Sequence, residues 1–131
     1  MMQNLKIFEQ GGGLVTSRHD TKVQWDWPWG WPPNQLLAVE GMRRYGFNED
    51  ANRVALKFLA NVVKNFRQDH TIREKYNVVT CSSEADIQAG YKENVIGFGW
   101  TNGAFLALLH QLPAEWSARV PGAVQNACGR Q

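Results

Sequence analysis

Apolar side chains recur at helical spacing in two neighbouring segments of the chain. In the longer segment they lie three to four residues apart, at Ala55, Leu56, Leu59, Val62, Val63 and Phe66. This spacing is typical of one face of an amphipathic helix. Asn48 is suited to cap this helix, and Glu49 and Asp50 follow in its first turn, where the helix dipole favours acids.

The shorter segment, residues 34–46, predicts the preceding helix. Pro32 and Pro33 suit its first turn, where a missing N–H costs nothing, and Gly46 is suited to end it. Because only about two to four residues separate the two segments, we expect an antiparallel helical hairpin.

Three further segments predict helices, two of them weakly patterned and the last one clear. Residues 3–10 predict a short helix that a glycine run ends, and residues 69–75 predict one further turn. Thr101 is suited to cap a helix over residues 102–112 that Pro113 ends. The remaining tail, residues 113–131, is weakly patterned, with a short helix predicted near Trp116 and fraying over its last ten residues.

Two long segments have no sustained period. The first, residues 14–31, contains four of the six tryptophans within seven residues, and Pro28 and Gly30 favour an ordered loop there over a strand. The second, residues 77–100, is mostly irregular. Long irregular loops inside compact domains are often functional.

The composition indicates one small soluble domain without an evident charged partner. The chain has 131 residues, 44% of them hydrophobic, and a net charge of +2, which gives no reason to expect nucleic acid or an anionic membrane as a partner. No apolar run approaches the ~20 residues of a membrane span, and no signal peptide is visible. The expected location is therefore cytoplasmic, where Cys81 and Cys128 would be free thiols.

The tryptophan-rich stretch QWDWPWGWPP, residues 24–33, is suited to bind a sugar. Indole rings stack on the apolar faces of sugar rings, while Gln24 and Asp26 can exchange hydrogen bonds with hydroxyls. The alternative is that these tryptophans only pack a core. By composition alone Glu74 and Glu84 are ordinary solvated carboxylates. The histidines show no metal-ligand spacing, so we expect neither a metal site nor a cofactor.

Taken together and in order, five segments resemble the trehalase family of glycoside hydrolases. They are GGLVTS at 12–17, QWDWPWGWPPNQ at 24–35, EKYNV at 74–78, SEADIQ at 83–88 and FGWTNG at 98–103. The chain departs from the family at four positions, where the family usually has proline, asparagine, aspartate and tyrosine: Val15, Trp29, Asn77 and Ala85.

The resemblance implies an all-α fold, in which helical hairpins form the C-terminal part of an (α/α)6 barrel with long irregular active-site loops. Residues 1–131 would be part of that catalytic domain. An inverting glycosidase uses a general acid and a general base about 6.5–9.5 Å apart. The resemblance implies that Glu74 is the base, which basic neighbours would keep ionised. It also implies six sugar contacts: Gln24, Trp25, Asp26, Trp31, Glu84 and Trp100.

The family's general acid is an aspartate upstream of GGLVTS, and no counterpart is present here. We therefore expect a truncated or split product that does not hydrolyse trehalose alone. Three alternatives stay open. They are part of another (α/α)6 α-glucosidase, a non-catalytic sugar-binding remnant, and a helical partner that completes a barrel with an upstream polypeptide.

Overall fold

The chain is described by a computed structural model that covers residues 2–88 and 93–129, most of which are helical. Within these residues a 3-10 turn at Met2–Asn4 precedes six helices: α1 Leu5–Phe8, α2 Pro32–Arg44, α3 Asn48–Asp69, α4 Gly99–Gln111, α5 Ala114–Ser117 and α6 Val120–Asn126. Four strands of two residues form two antiparallel pairs, β1–β2 and β3–β4. The strands are β1 Glu9–Gln10, β2 Gly13–Leu14, β3 Trp29–Gly30 and β4 Tyr76–Asn77.

The predicted hairpin is formed by α2 and α3, which pack against each other across a short connection. Pro32 begins α2, and Gly46 follows it with a φ of 80°, a conformation that glycine adopts without strain. The predicted cap is wrong by one residue, because Asn48 is the first residue of α3 and Phe47 holds the capping position without a side-chain hydrogen bond.

The core lies around α3, whose predicted apolar stripe is buried from Ala55 to Val62, half-buried at Val63 and exposed at Phe66. Val54, Phe58 and Leu59 are fully buried, against Val39 of α2 and Leu108 of α4. Burying one such side chain contributes about 1.5–3 kcal/mol. The core therefore depends on contacts between all three long helices.

The β1–β2 hairpin is fixed to the helices by two polar side chains. The Gln35 side chain accepts a hydrogen bond from Leu14 N–H at 2.8 Å and donates one to Leu14 O at 2.6 Å. The Glu9 carboxylate accepts hydrogen bonds from Arg53 at 2.8 and 2.9 Å and from Lys57 at 2.7 Å. Burial opposes ionisation of Glu9, but the two cations outweigh it and lower its pKa.

Two predictions about the helix ends are wrong. Residues 70–75 are not helical, because His70 ends α3 in a left-handed conformation with a φ of 57° and Arg73 pairs with Ile96 as an isolated bridge. Thr101 does not cap α4, which begins at Gly99. The Thr101 hydroxyl instead donates a hydrogen bond to Arg73 O at 2.7 Å, which joins α4 to the non-helical residues 70–75.

The C-terminal segment contains the predicted short helix α5 and a further helix, α6, that we did not predict. Val120 and Val124 of α6 are buried against α3, in an apolar cluster that includes Cys81. Cys81 forms a disulfide with Cys128, with their Cα atoms 5.7 Å apart. The expectation of two free thiols is therefore wrong. Among the described residues, no helix has both the length and the apolar character needed to cross a membrane.

Candidate active site

The two segments that lack a sustained hydrophobic period, residues 14–31 and 77–100, meet at the β3–β4 pair. Trp29 pairs with Asn77 and Gly30 with Tyr76, so the tryptophan-rich loop lies beside the segment that begins at Glu74. Gly30 permits this close approach, because a Cβ atom there would lie 2.3 Å from Val78 Cγ1. A larger residue at this position would separate the two segments.

Glu74 is held by its backbone on two sides. Its N–H donates to Val95 O at 2.9 Å, and its carbonyl accepts from Trp100 Nε1 at 3.2 Å and from the Thr101 hydroxyl at 3.4 Å. The side chain is only 7% exposed, and its Oε2 lies 2.7 Å from Lys75 Nζ. The solvated carboxylate suggested by composition is thus wrong for Glu74, which is buried and paired.

The second basic neighbour, Arg73, is directed away from Glu74. Its guanidinium donates to Thr71 at 3.0 Å, to Asn94 O at 3.1 Å and to Asp69 at 2.9 Å. Only one of the two basic neighbours therefore contacts Glu74.

Three of the predicted tryptophans form one aromatic cluster beside this ion pair. Trp25 and Trp31 stack with ring centroids 3.7 Å apart and planes 6° apart, and Trp100 meets Trp31 edge-on at 5.6 Å. Trp31 is almost fully buried, whereas Trp25 is 45% exposed. Lys75 Nζ lies 5.0 Å from the Trp31 ring centroid, within range of a cation–π contact. Trp25 therefore presents aromatic surface to solvent, while Trp31 supports it.

Gln24 and Asp26 lie in the same loop but differ in their partners. The Asp26 carboxylate accepts hydrogen bonds from the Thr21 hydroxyl and, at 2.8 Å, from the Ser17 hydroxyl, and these bonds lower its pKa. Gln24 O accepts from Trp31 Nε1 at 2.9 Å. Gln24 Oε1 is buried without a hydrogen-bond partner in the described part of the chain. Asp26 thus orders the loop, while Gln24 retains an unused acceptor.

Glu84 lies in the irregular loop that follows β4. It is exposed and lines a cavity of about 200 Å³ together with Trp29 and Asn77. Trp29, which replaces the family's asparagine, is buried against Trp31 and Ile87. Two of the four departures from the family, Trp29 and Asn77, are therefore register partners that line one cavity.

Asn94 is a structural residue of the site that the sequence analysis missed. Its Oδ1 accepts from Lys75 N–H at 3.2 Å, and its Nδ2 donates to Lys75 O at 2.8 Å and to Ser83 O at 2.7 Å. It therefore joins the Glu74 segment to the loop that carries Glu84. No periodic signal marks it, since it lies in an irregular segment.

Comparison with known proteins agrees with the resemblance found in the motifs. The family model described as Trehalase matches residues 1–113. A periplasmic trehalase of Xanthomonas oryzae pv. oryzae is 41% identical over 84% of this chain and 19% of its own length. A cytosolic neutral trehalase of Emericella nidulans is 33% identical over 92% of this chain and 18% of its own length.

A solved structure supports the same assignment. Neutral trehalase Nth1 from Saccharomyces cerevisiae superposes with a TM-score of 0.71 at 29% identity, over 93% of this chain and 22% of that protein. Its fold is an (α/α)6 barrel, so the predicted helical fold class is confirmed. The chain spans about a fifth of the length of the relatives that it matches.

Proposed function

The chain belongs to the trehalase family, and we propose on that basis that it is part of an inverting glycoside hydrolase that converts α,α-trehalose to glucose. In this proposal Glu74 is the general base. It accepts a proton from water while the water oxygen attacks the anomeric carbon, and a general acid on the opposite face protonates the leaving oxygen. That acid comes from polypeptide outside this chain.

The observation that carries the proposal is the environment of Glu74. Its carboxylate is buried, ion-paired with Lys75 and adjacent to a cluster of three tryptophans. A fixed carboxylate beside aromatic surface is the arrangement that a base acting next to a sugar ring requires. An exposed surface glutamate would have neither property.

The six candidate sugar contacts would contribute unequally to binding. The exposed indole of Trp25 would stack on the sugar ring. Gln24 Oε1, a buried acceptor without a partner in the described part of the chain, would accept a hydrogen bond from a sugar hydroxyl, which removes the cost of leaving it unpaired. Trp31 and Trp100 support the stack. The exposed Glu84 and the ordered Asp26 would contact sugar hydroxyls beyond the stacked indoles, so their replacement should weaken binding less than that of Trp25.

A partner polypeptide that completes the barrel is part of this proposal. Helix α4 has apolar residues around its circumference, yet only Thr101, Ala104 and Leu108 are buried, and Leu106 is 54% exposed. A helix that is apolar on all faces is normally enclosed by other elements. The covering polypeptide would be the counterpart of the other four fifths of the relatives' length.

The test is a chimera in which this chain replaces the matching fifth of the Xanthomonas periplasmic trehalase. We expect glucose release from trehalose, and a loss of at least about 100-fold in kcat for Glu74→Gln, because general-base catalysis contributes about 10²–10⁴-fold. Glu115→Gln, at an exposed glutamate of α5, is the matched control and should keep full activity. A folded, active chimera in which Glu74→Gln has no effect would refute the assignment of the base.

The isolated chain gives the complementary result. Without a general acid we expect no glucose release from trehalose above the level of a Glu74→Gln control. Clear activity that this variant abolishes would show that the chain carries a complete site.

A further inference from the structure

Lys75 is a buried charge to which the proposed function gives no part in the reaction. Its side chain is fully buried, although lysine ammonium groups normally remain in water. An unpaired ammonium in this position would be strongly unfavourable. Its only contacts with charged or aromatic groups in the described part of the chain are Glu74 Oε2 at 2.7 Å and the Trp31 ring at 5.0 Å.

The backbone of Lys75 is held in place by its neighbours. Asn94 accepts a hydrogen bond from Lys75 N–H and donates one to Lys75 O. The adjacent Tyr76 lies in β4, opposite Gly30. Because Lys75 is fixed on both sides, its ammonium can hold the Glu74 carboxylate in one orientation.

The two carboxylate oxygens of Glu74 consequently differ. Oε2 accepts a hydrogen bond from Lys75 Nζ, while Oε1 has no hydrogen-bond partner among residues 2–88 and 93–129. A carboxylate oxygen bound by an ammonium is a weaker proton acceptor than a free one. The ion pair therefore distinguishes the oxygen that is held from the oxygen that is available.

We propose that Lys75 is a positioning residue for the base, which binds Oε2 of Glu74 so that Oε1 accepts the proton of the attacking water. The inference rests on the proposed function. In the reaction, one O–H bond of water breaks as its proton moves to Oε1, and the water oxygen bonds to the anomeric carbon. The electrons of the broken glycosidic bond go to the leaving oxygen, which the external acid protonates. The contact with Trp31 fixes the ammonium, and with it the carboxylate, relative to the aromatic cluster.

The first test measures the ion pair in the full 131-residue chain. In NMR spectra of protein labelled with ¹⁵N-lysine and ¹³C-glutamate, the Lys75 ammonium should exchange slowly and show a scalar coupling to the Glu74 carboxylate carbon. Lys6, an exposed lysine of α1, should show neither property. Glu74→Gln should shift the Lys75 signal. A Lys75 ammonium that exchanges as fast as that of Lys6 and shows no coupling would overturn the proposal.

The second test uses the active chimera and separates positioning from folding. Lys75→Met should lower kcat by about 10- to 100-fold, the order expected for a reacting group displaced by ~1 Å, with KM changed less than about twofold. Lys75→Arg should recover part of kcat because it keeps the charge. Lys6→Met is the matched control and should leave both constants unchanged.

The outcomes distinguish the two proposals. An unchanged kcat in Lys75→Met, together with a full loss in Glu74→Gln, overturns the role of Lys75 and leaves the base assigned. A fall in kcat that accompanies loss of the helical circular dichroism signal, without recovery in Lys75→Arg, assigns Lys75 a purely structural role and also overturns the proposal. An unchanged activity in Glu74→Gln refutes the proposed base itself.

Discussion

The Cys81–Cys128 disulfide connects the turn after β4 to the end of α6, and its removal gives a quantitative test of the fold. The two residues are 47 positions apart. In the chain-entropy model, a crosslink that closes a loop of this length lowers the entropy of the unfolded chain enough to stabilise the native state by about 4 kcal/mol. Since whole domains are stable by only about 5–15 kcal/mol, this is a large share. We therefore expect the double variant Cys81→Ala/Cys128→Ala to lose about 4 kcal/mol of unfolding free energy.

Urea unfolding followed by circular dichroism measures this loss. With a denaturant slope of about 1–3 kcal/mol/M, the midpoint should fall by roughly 1–4 M. A reductant should lower the midpoint of the wild-type chain by a similar amount and leave that of the alanine variant unchanged. Peptide mapping under non-reducing conditions should recover the peptides of Cys81 and Cys128 joined.

Two results would refute this reasoning. One is a change of less than about 1 kcal/mol in the double variant, because loop closure would then contribute little to stability. The other is recovery of both thiols free from protein prepared without reductant, because the chain would then fold without the bond.

Three further substitutions test the packing around the site and the β1–β2 hairpin. Gly30→Ala should lower the unfolding free energy by about 1–3 kcal/mol through overpacking. The control is Gly103→Ala in α4, where a Cβ atom meets nothing within 4 Å, and it should be neutral or stabilising by up to about 1 kcal/mol. Equal shifts in melting temperature for the two variants would contradict the close contact between Gly30 and Val78. Gln35→Leu should cost about 1–3 kcal/mol in urea unfolding, because it leaves the buried N–H and C=O of Leu14 unpaired, and a neutral result would refute that contact. The pKa of Glu9 is lowered from its ordinary value of 4.5, so its ion pairs stabilise the fold above that pH, and this stabilisation is lost as the pH falls through the lowered pKa. Glu9→Gln should therefore make the unfolding free energy depend less on pH in the acid range. An unchanged pH dependence would contradict the ion pairs of Glu9 with Arg53 and Lys57.

The helices that could be predicted are those whose pattern is local. Pro32 and Gly46 mark the ends of α2, and the stripe on α3 corresponds to its buried face as far as Val62. Helix α6 lacks such a signal because it contains Pro121 and Gly122, which have poor intrinsic helix propensity. Its formation depends on burial of two valines against α3, which is a tertiary effect.

The disulfide and the Glu74–Lys75 ion pair could not be predicted from the sequence either, because both depend on where single side chains lie in space. Cysteines 47 positions apart carry no information about their distance in space. Similarly, the sequence places basic residues on both sides of Glu74, and only the backbone path decides that Lys75 reaches the carboxylate while Arg73 turns to Asp69. The resemblance implied that residues of both segments contact the sugar, but it could not give the contacts between their side chains.

The stacked indoles of Trp25 and Trp31 can serve as an intrinsic fluorescence probe. Their rings lie in van der Waals contact, one shielded and the other open to water. Excitation energy can therefore pass between them, and an aqueous quencher that touches only the outer ring should reduce emission from both. A solute that covers the outer ring should protect both from quenching. Occupancy of this surface should therefore lower the fraction of emission from the chain's six tryptophans that an aqueous quencher removes.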